Sequence, residues 1–104
     1  MSLRIEHKHE LGIDDARDRI RALGEYLDNK HGIGVTWTGQ NEAKVKGKFM
    51  VITIDATVTV EEKRVCFDGK DPGMLWRGKA KDYLSRKMGT YLDPKKTLAD
   101  LPRG

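Results

Sequence analysis

His7 and His9 flank Lys8, which puts two imidazoles on one side of an extended segment, and His31 is the third histidine of the chain. Neutral imidazole binds zinc, but a zinc site needs further ligands converging on the metal. No cysteine cluster accompanies the pair, so the spacing points to surface histidines and to no metal. Cys66 is the single cysteine. A nucleophilic thiol requires a lowered pKa and a nearby base. The sequence surrounds it with Glu62, Arg64 and Asp68 but no histidine, which reads as a strand cysteine facing the open side of a sheet. Asp55 stands among Thr53, Thr57 and Thr59. One carboxylate among hydroxyls can hold a cation or a polar ligand, whereas acid–base catalysis calls for a second carboxylate in a different environment. The glycines at 32, 34, 39, 47, 69, 73 and 78 match no phosphate-cradling spacing. No catalytic residue, metal ligand or cofactor is assigned, and the chain is expected not to be an enzyme.

The elements that would carry these residues are more legible. From Phe49 to Val60 the chain alternates, with Met50, Ile52, Ile54, Ala56, Val58 and Val60 on one face and Thr53, Asp55, Thr57 and Thr59 on the other. Period two over this length predicts a strand with one buried and one wet face. Leu3 to Lys8 forms a first strand. Ala16, Ile20, Leu23 and Leu27 give the apolar stripe of a helix that opens with Asp14 as N-cap and stops at Gly32. Gly24 inside that helix implies close approach to the sheet or simple tolerance. Val35 and Trp37 share one face of a short strand, and Ala43 and Val45 alternate with Lys44, Lys46 and Lys48 in the next. Arg64 to Asp68 forms another strand, and Gly47 and Gly69 read as bends or bulges. Asp71-Pro72-Gly73 introduces a second helix, Leu75 to Tyr91, whose apolar face is Trp76, Ala80, Tyr83, Leu84, Met88 and Tyr91, with Lys87 snorkelling from within it. The order is β-α-β-β-β-β-α. It predicts an α+β fold of two layers, a mainly antiparallel sheet with both helices covering one face. Residues 1–92 form a single domain, and 93–104 a short polar C-terminal tail expected to be mobile.

A chain of 104 residues with 38% hydrophobic and 35% charged side chains holds one core. It has no run near the roughly 20 apolar residues that span a bilayer, and a cytoplasmic location is expected. Residues 71–104 carry eight basic against four acidic side chains, a local positive field open to nucleic acid, anionic lipid or an acidic partner. Arg77, Lys79, Lys81, Arg86 and Lys87 spread around the second helix instead of tracking one phosphate row. A sheet that binds RNA would also offer stacking aromatics, and only Phe49 and, depending on register, Phe67 are candidates for the open face.

In order, the motifs resemble one known family. They are an Ile-Glu-His-like opening, His9-Glu10-Leu11-Gly12 before an Ala/Arg/Leu-rich helix, Gly34-Val35-Thr36-Trp37, and Val-Lys-Gly at 45–47. The long alternating strand follows, and Leu75-Trp76-Arg77-Gly78-Lys79 enters the last helix. From Arg4 to Leu92 the chain is similar to the polyhydroxyalkanoic acid system proteins, also named for the granule region. It departs from them in the Lys95–Gly104 extension and in a more charged Lys63–Gly73. The genes of that family accompany polyester biosynthesis genes. The resemblance therefore implies an accessory protein that binds a polyhydroxyalkanoate granule surface or a protein partner, and it brings no catalytic residues. The binding residues expected are Leu75, Trp76, Arg77, Lys79 and Lys81. The alternatives are a small basic nucleic-acid-binding module, or an enzyme or ligand carrier with a pocket between sheet and helices. Such a pocket would need a convergent polar cluster that the sequence does not display. Homodimerisation through the open sheet face or an edge strand is compatible with a domain of this size.

Overall fold

The alternating segment becomes the central strand of a five-stranded antiparallel sheet. In the computed structural model, which describes residues 2–104, the elements are β1 (Ser2–Lys8), α1 (Ile13–His31), β2 (Gly34–Trp37), β3 (Glu42–Phe49), β4 (Ile52–Val60), β5 (Arg64–Lys70) and α2 (Met74–Tyr91). A 3₁₀ turn at Leu98–Asp100 follows. The sheet order is β1-β5-β4-β3-β2, with every neighbouring pair antiparallel. Leu3 and Ile5 of β1, Val65 of β5, Ala56, Val58 and Val60 of β4, and Val45 of β3 are buried with Ala16, Ile20, Leu23 and Leu27 of α1. The fold is the expected α+β arrangement, one sheet face carrying both helices.

Beyond one- or two-residue extensions of β1, β5 and α2, three features differ from the sequence reading. Helix α1 starts two residues earlier, with Gly12 as N-cap and no side-chain cap; Asp14 and Asp15 lie in its first turn, where they favour the helix dipole. Gly32, at φ 67°, closes the helix in the left-handed conformation as expected, its N–H bonded to Asp28 O. Strand β4 begins at Ile52, because Phe49 and Ile52 pair across a two-residue loop of Met50 and Val51. Met50 thus leaves the buried face assigned to it and is 73% exposed, with φ 56°. Such tight hairpins favour glycine or asparagine where φ is positive, and a bulky side chain there is an outlier.

The third difference is the tail. Leu101 is buried, Leu98 packs on the core, and the Tyr91 hydroxyl donates to Pro102 O. Asn29 Nδ2 donates to Arg103 O, and Arg103 pairs with Glu25. Arg19, only 4% exposed, organises this docking. It donates to Asp15 Oδ1 at 2.9 Å and to the carbonyls of Asp93 at 2.8 Å, Lys96 at 2.5 Å and Tyr91 at 3.3 Å. The segment expected to be mobile is therefore fastened to α1, because one buried guanidinium satisfies carbonyls at the end of α2 and beyond it.

Gly69 and Gly47 are paired in register, Gly69 with Leu3 and Ala56 and Gly47 with Ile54, so neither marks a bulge. A Cβ at Gly69 would lie 2.6 Å from Ala56 Cβ and 3.0 Å from Asp55 O. Both neighbours belong to the paired strand and cannot rotate away. Gly69→Ala is expected to cost about 2 kcal/mol through overpacking, measured by urea unfolding; a loss below about 0.5 kcal/mol would show that β4 and β5 separate freely here.

Candidate functional site

The most unusual surface lies at one end of the sheet. Strands β3 and β5 flank β4 and run the same way, so the β3–β4 loop and the start of α2 share that end. Met50 is 73% and Val51 85% exposed in the loop; Met74 and Leu75 are each 86% exposed in the first turn of α2. Phe49 adds a partly exposed ring. Four large apolar side chains on two prongs are thus exposed at one end of the sheet, and clustered exposed apolar surface is a feature of interaction sites.

Of the residues expected to bind, Leu75 stands on the second prong. Trp76 turns inward to the edge of a groove, with Lys79 Nζ 5.3 Å from its ring centroid. Arg77 is partly exposed and tied to the segment before the helix, its guanidinium 2.7 Å from Asp71 Oδ2. Asp71 also accepts from Gly73 N–H, and chiefly the Arg77 hydrogen bond holds its carboxyl below the usual range. Lys81 is exposed. The sequence reading missed Met50, Val51 and Met74. Its signal was a change of parity: Lys44, Lys46 and Lys48 put even positions outside in β3, while Ile52, Ile54 and Ala56 put even positions inside in β4. A turn of even length must intervene.

Behind this end, α2 stands off the sheet. Only Met88 and Tyr91, in its last turns, are buried. The space beneath its first half is a groove of about 380 Å³, floored by Ile33, Val45, Ile54 and Phe67 and roofed by Trp76, Ala80, Tyr83 and Leu84. Phe67 thus belongs to the helix-covered side and offers no ring to the open face. The Tyr83 hydroxyl and His31 Nε2, 3.3 Å apart, place a polar pair in the groove wall. Lys87 leans over Tyr26 at 4.2 Å, its ammonium supported by the ring face.

Comparison with protein-family models matches residues 3–95 to the family described as "Putative polyhydroxyalkanoic acid system protein". The chain belongs to this family. Comparison with curated proteins and with solved structures yields no match. In this polyhydroxyalkanoic acid system family member, both prongs and the whole groove lie within the matched residues, and most of the docked tail lies beyond them. Among the described residues, no helix is long and apolar enough to cross a membrane.

The open sheet face of this family member carries a shallow polar basin around Cys66. Arg4, Arg64, Glu61, Asp68, Thr57 and Thr59 line it. The Cys66 thiol donates to Glu61 Oε2 at 3.2 Å and lies 3.6 Å from Glu6 Oε1. Arg4 and Arg64 hold the Glu6 and Glu61 carboxyls below their usual range, first through hydrogen bonds. Burial, then the Glu61 contact, pushes the thiol up to about 11. This is the reverse of an activated nucleophile. Alkylation of Cys66 by iodoacetamide at pH 8 is expected at least tenfold slower than that of free cysteine, since each unit of raised pKa removes tenfold of thiolate. The thiol's contribution to stability is full below about pH 9 and is lost as pH rises through about 11. Alkylation at the free-cysteine rate in the folded protein would mean that the Glu61 contact is not held.

The histidines are dispersed. His9 is buried, donating through Nε2 to Glu61 O at 2.9 Å and accepting Leu11 N–H at Nδ1, which corrects its reading as a surface side chain. Its ring ties the exit of β1 to the β4–β5 turn. His31 lies edge-on to Phe49 at 5.2 Å. Among the described residues, no three His, Cys, Asp or Glu side chains converge as a metal site.

Proposed function

We propose that this protein is a non-enzymatic accessory factor of polyhydroxyalkanoate metabolism that adsorbs to the polyester inclusion surface through its apolar end. The observation that carries this reading is the pair of prongs, Met50–Val51 and Met74–Leu75, both exposed at one end of the sheet. Family membership supplies the polyester context. An aliphatic polyester surface, lipid-coated or bare, offers the apolar medium those side chains lack in water, and Lys79 and Lys81 on α2 favour an anionic coat. A nucleic-acid role gains less support. Arg77 and Arg86 are paired with Asp71 and Asp82, and the open sheet face presents threonines, lysines and the Cys66 basin in place of stacking rings.

The test is co-sedimentation of the purified chain with polyhydroxybutyrate granules at low and moderate salt, with RNA as competitor. Retention at moderate salt despite RNA is the expected result. Retention erased by RNA would transfer the assignment to nucleic acid. Lys79→Glu with Lys81→Glu is expected to weaken low-salt adsorption to lipid-coated granules at least about 30-fold, at about 1 kcal/mol per basic group near an anionic surface. The same double variant should bind like wild type at high salt, where screening removes that attraction. Equal binding at low salt would leave the adsorption without an electrostatic part. Arg77 is left intact because its reversal would set a second carboxylate against Asp71.

A further inference from the structure

We propose that the groove beneath α2 is a binding site for one aliphatic chain ended by a carboxylate, a medium-chain fatty or hydroxy-fatty acid. The groove is distinct from the four prong side chains, though it shares Phe49 and Lys79 with the surface around them. Its volume of about 380 Å³ falls within the usual range for small-molecule sites, and its floor and roof are almost wholly apolar. Ala80 on the roof leaves room that a larger side chain would fill.

Charge selects the ligand's end. Lys70, Lys79 and Arg86 line the groove against Asp55 and Asp82, leaving a positive excess. Arg86 is paired with Asp82 at 2.7 Å. Lys79 rests against Trp76 at the groove edge and has no carboxylate partner among the described residues. The Tyr83–His31 pair offers hydrogen bonds to an oxygen carried on the chain, such as a hydroxyl. One chain satisfies these features together: methylenes along the floor and carboxylate at Lys79.

The experiment is calorimetric titration of the full chain with hexanoate, octanoate and decanoate below their micelle concentrations, with decanol as the neutral comparison. Each added methylene is expected to tighten binding about fourfold until the groove is full, the equivalent of about 0.8 kcal/mol per CH₂. Ala80→Trp fills the groove and is expected to weaken decanoate at least tenfold, with thermal unfolding verifying its fold. Lys79→Gln is expected to weaken decanoate about fivefold and leave decanol unchanged. No saturable binding of decanoate, binding indifferent to chain length, or undiminished binding by folded Ala80→Trp would overturn the proposal. A wild-type dimer that Ala80→Trp converts to monomer would also overturn it, assigning the groove to a second copy. Granule co-sedimentation of Ala80→Trp is expected to be retained. Failure of adsorption alone thus removes the surface reading, and failure of decanoate binding alone removes this one.

Discussion

Arg19→Ala is expected to destabilise the protein by about 3 kcal/mol, lowering the thermal midpoint by roughly 15 °C for a domain of this size. Arg19 is 4% exposed, and its guanidinium joins α1 to three backbone carbonyls at and beyond the end of α2. Truncation leaves those carbonyls without a donor in a site that admits little water, and each such loss costs about 1–3 kcal/mol before relaxation. Relaxation has a clear route: the tail lifts and its carbonyls reach solvent. The equilibrium loss should therefore come with faster trypsin cleavage after Lys95 and Lys96. Arg19→Lys, whose single ammonium cannot span the same fork, should recover only part of the loss. A loss below about 1 kcal/mol in urea unfolding, or unchanged tail cleavage, would show that Leu101 and the Tyr91–Pro102 contact hold the tail without it.

This arginine also shows where sequence reasoning stops. Ala16, Ile20, Leu23 and Leu27 declare the buried stripe of α1 because apolar side chains need only any apolar surface. Arg19 lies on the border of that stripe and is buried only because carbonyls more than seventy residues away converge on it. No local pattern encodes that convergence. Gly24 is an intermediate case. A glycine inside a helix suggests close approach, and a Cβ there would meet Val35 Cγ1 at 3.2 Å, but the sequence does not name the partner. The strands, their order in the chain and the layer arrangement were legible because period-two and period-3.6 patterns recur throughout.

The candidate site was legible only in part, for a related reason. Alternation carries straight through Phe49, Met50 and Val51 because the turn contains no glycine, proline or asparagine to interrupt it. The parity change between Lys48 and Ile52 was visible, but propensity argued against a turn at those residues. The groove depends on how far α2 stands from the sheet, a consequence of the Asp71–Arg77 tie at one end and Met88 and Tyr91 at the other. Local turn chemistry violated without a packing gain is the pattern that strained functional positions show.

That argument has a measurable consequence at Met50. Replacing it by aspartate together with Leu75→Asp is expected to reduce adsorption to polyester granules at least 100-fold, because burying a Met or Leu side chain in an apolar medium is worth about 1.5–3 kcal/mol. Both side chains are exposed, so folding stability should change by no more than about 0.5 kcal/mol. Met50→Gly separates the two roles of the residue. At φ 56° a side chain is strained and glycine is not, so this variant should be more stable by about 0.5 kcal/mol after glycine's own entropic cost. It should nevertheless adsorb roughly tenfold more weakly, having lost one apolar anchor. A gain in stability with a loss of adsorption would mean that strain at the hairpin tip is retained for surface contact. Glycine adsorbing as tightly as methionine, with the aspartate pair also unimpaired, would remove the apolar end from the docking surface.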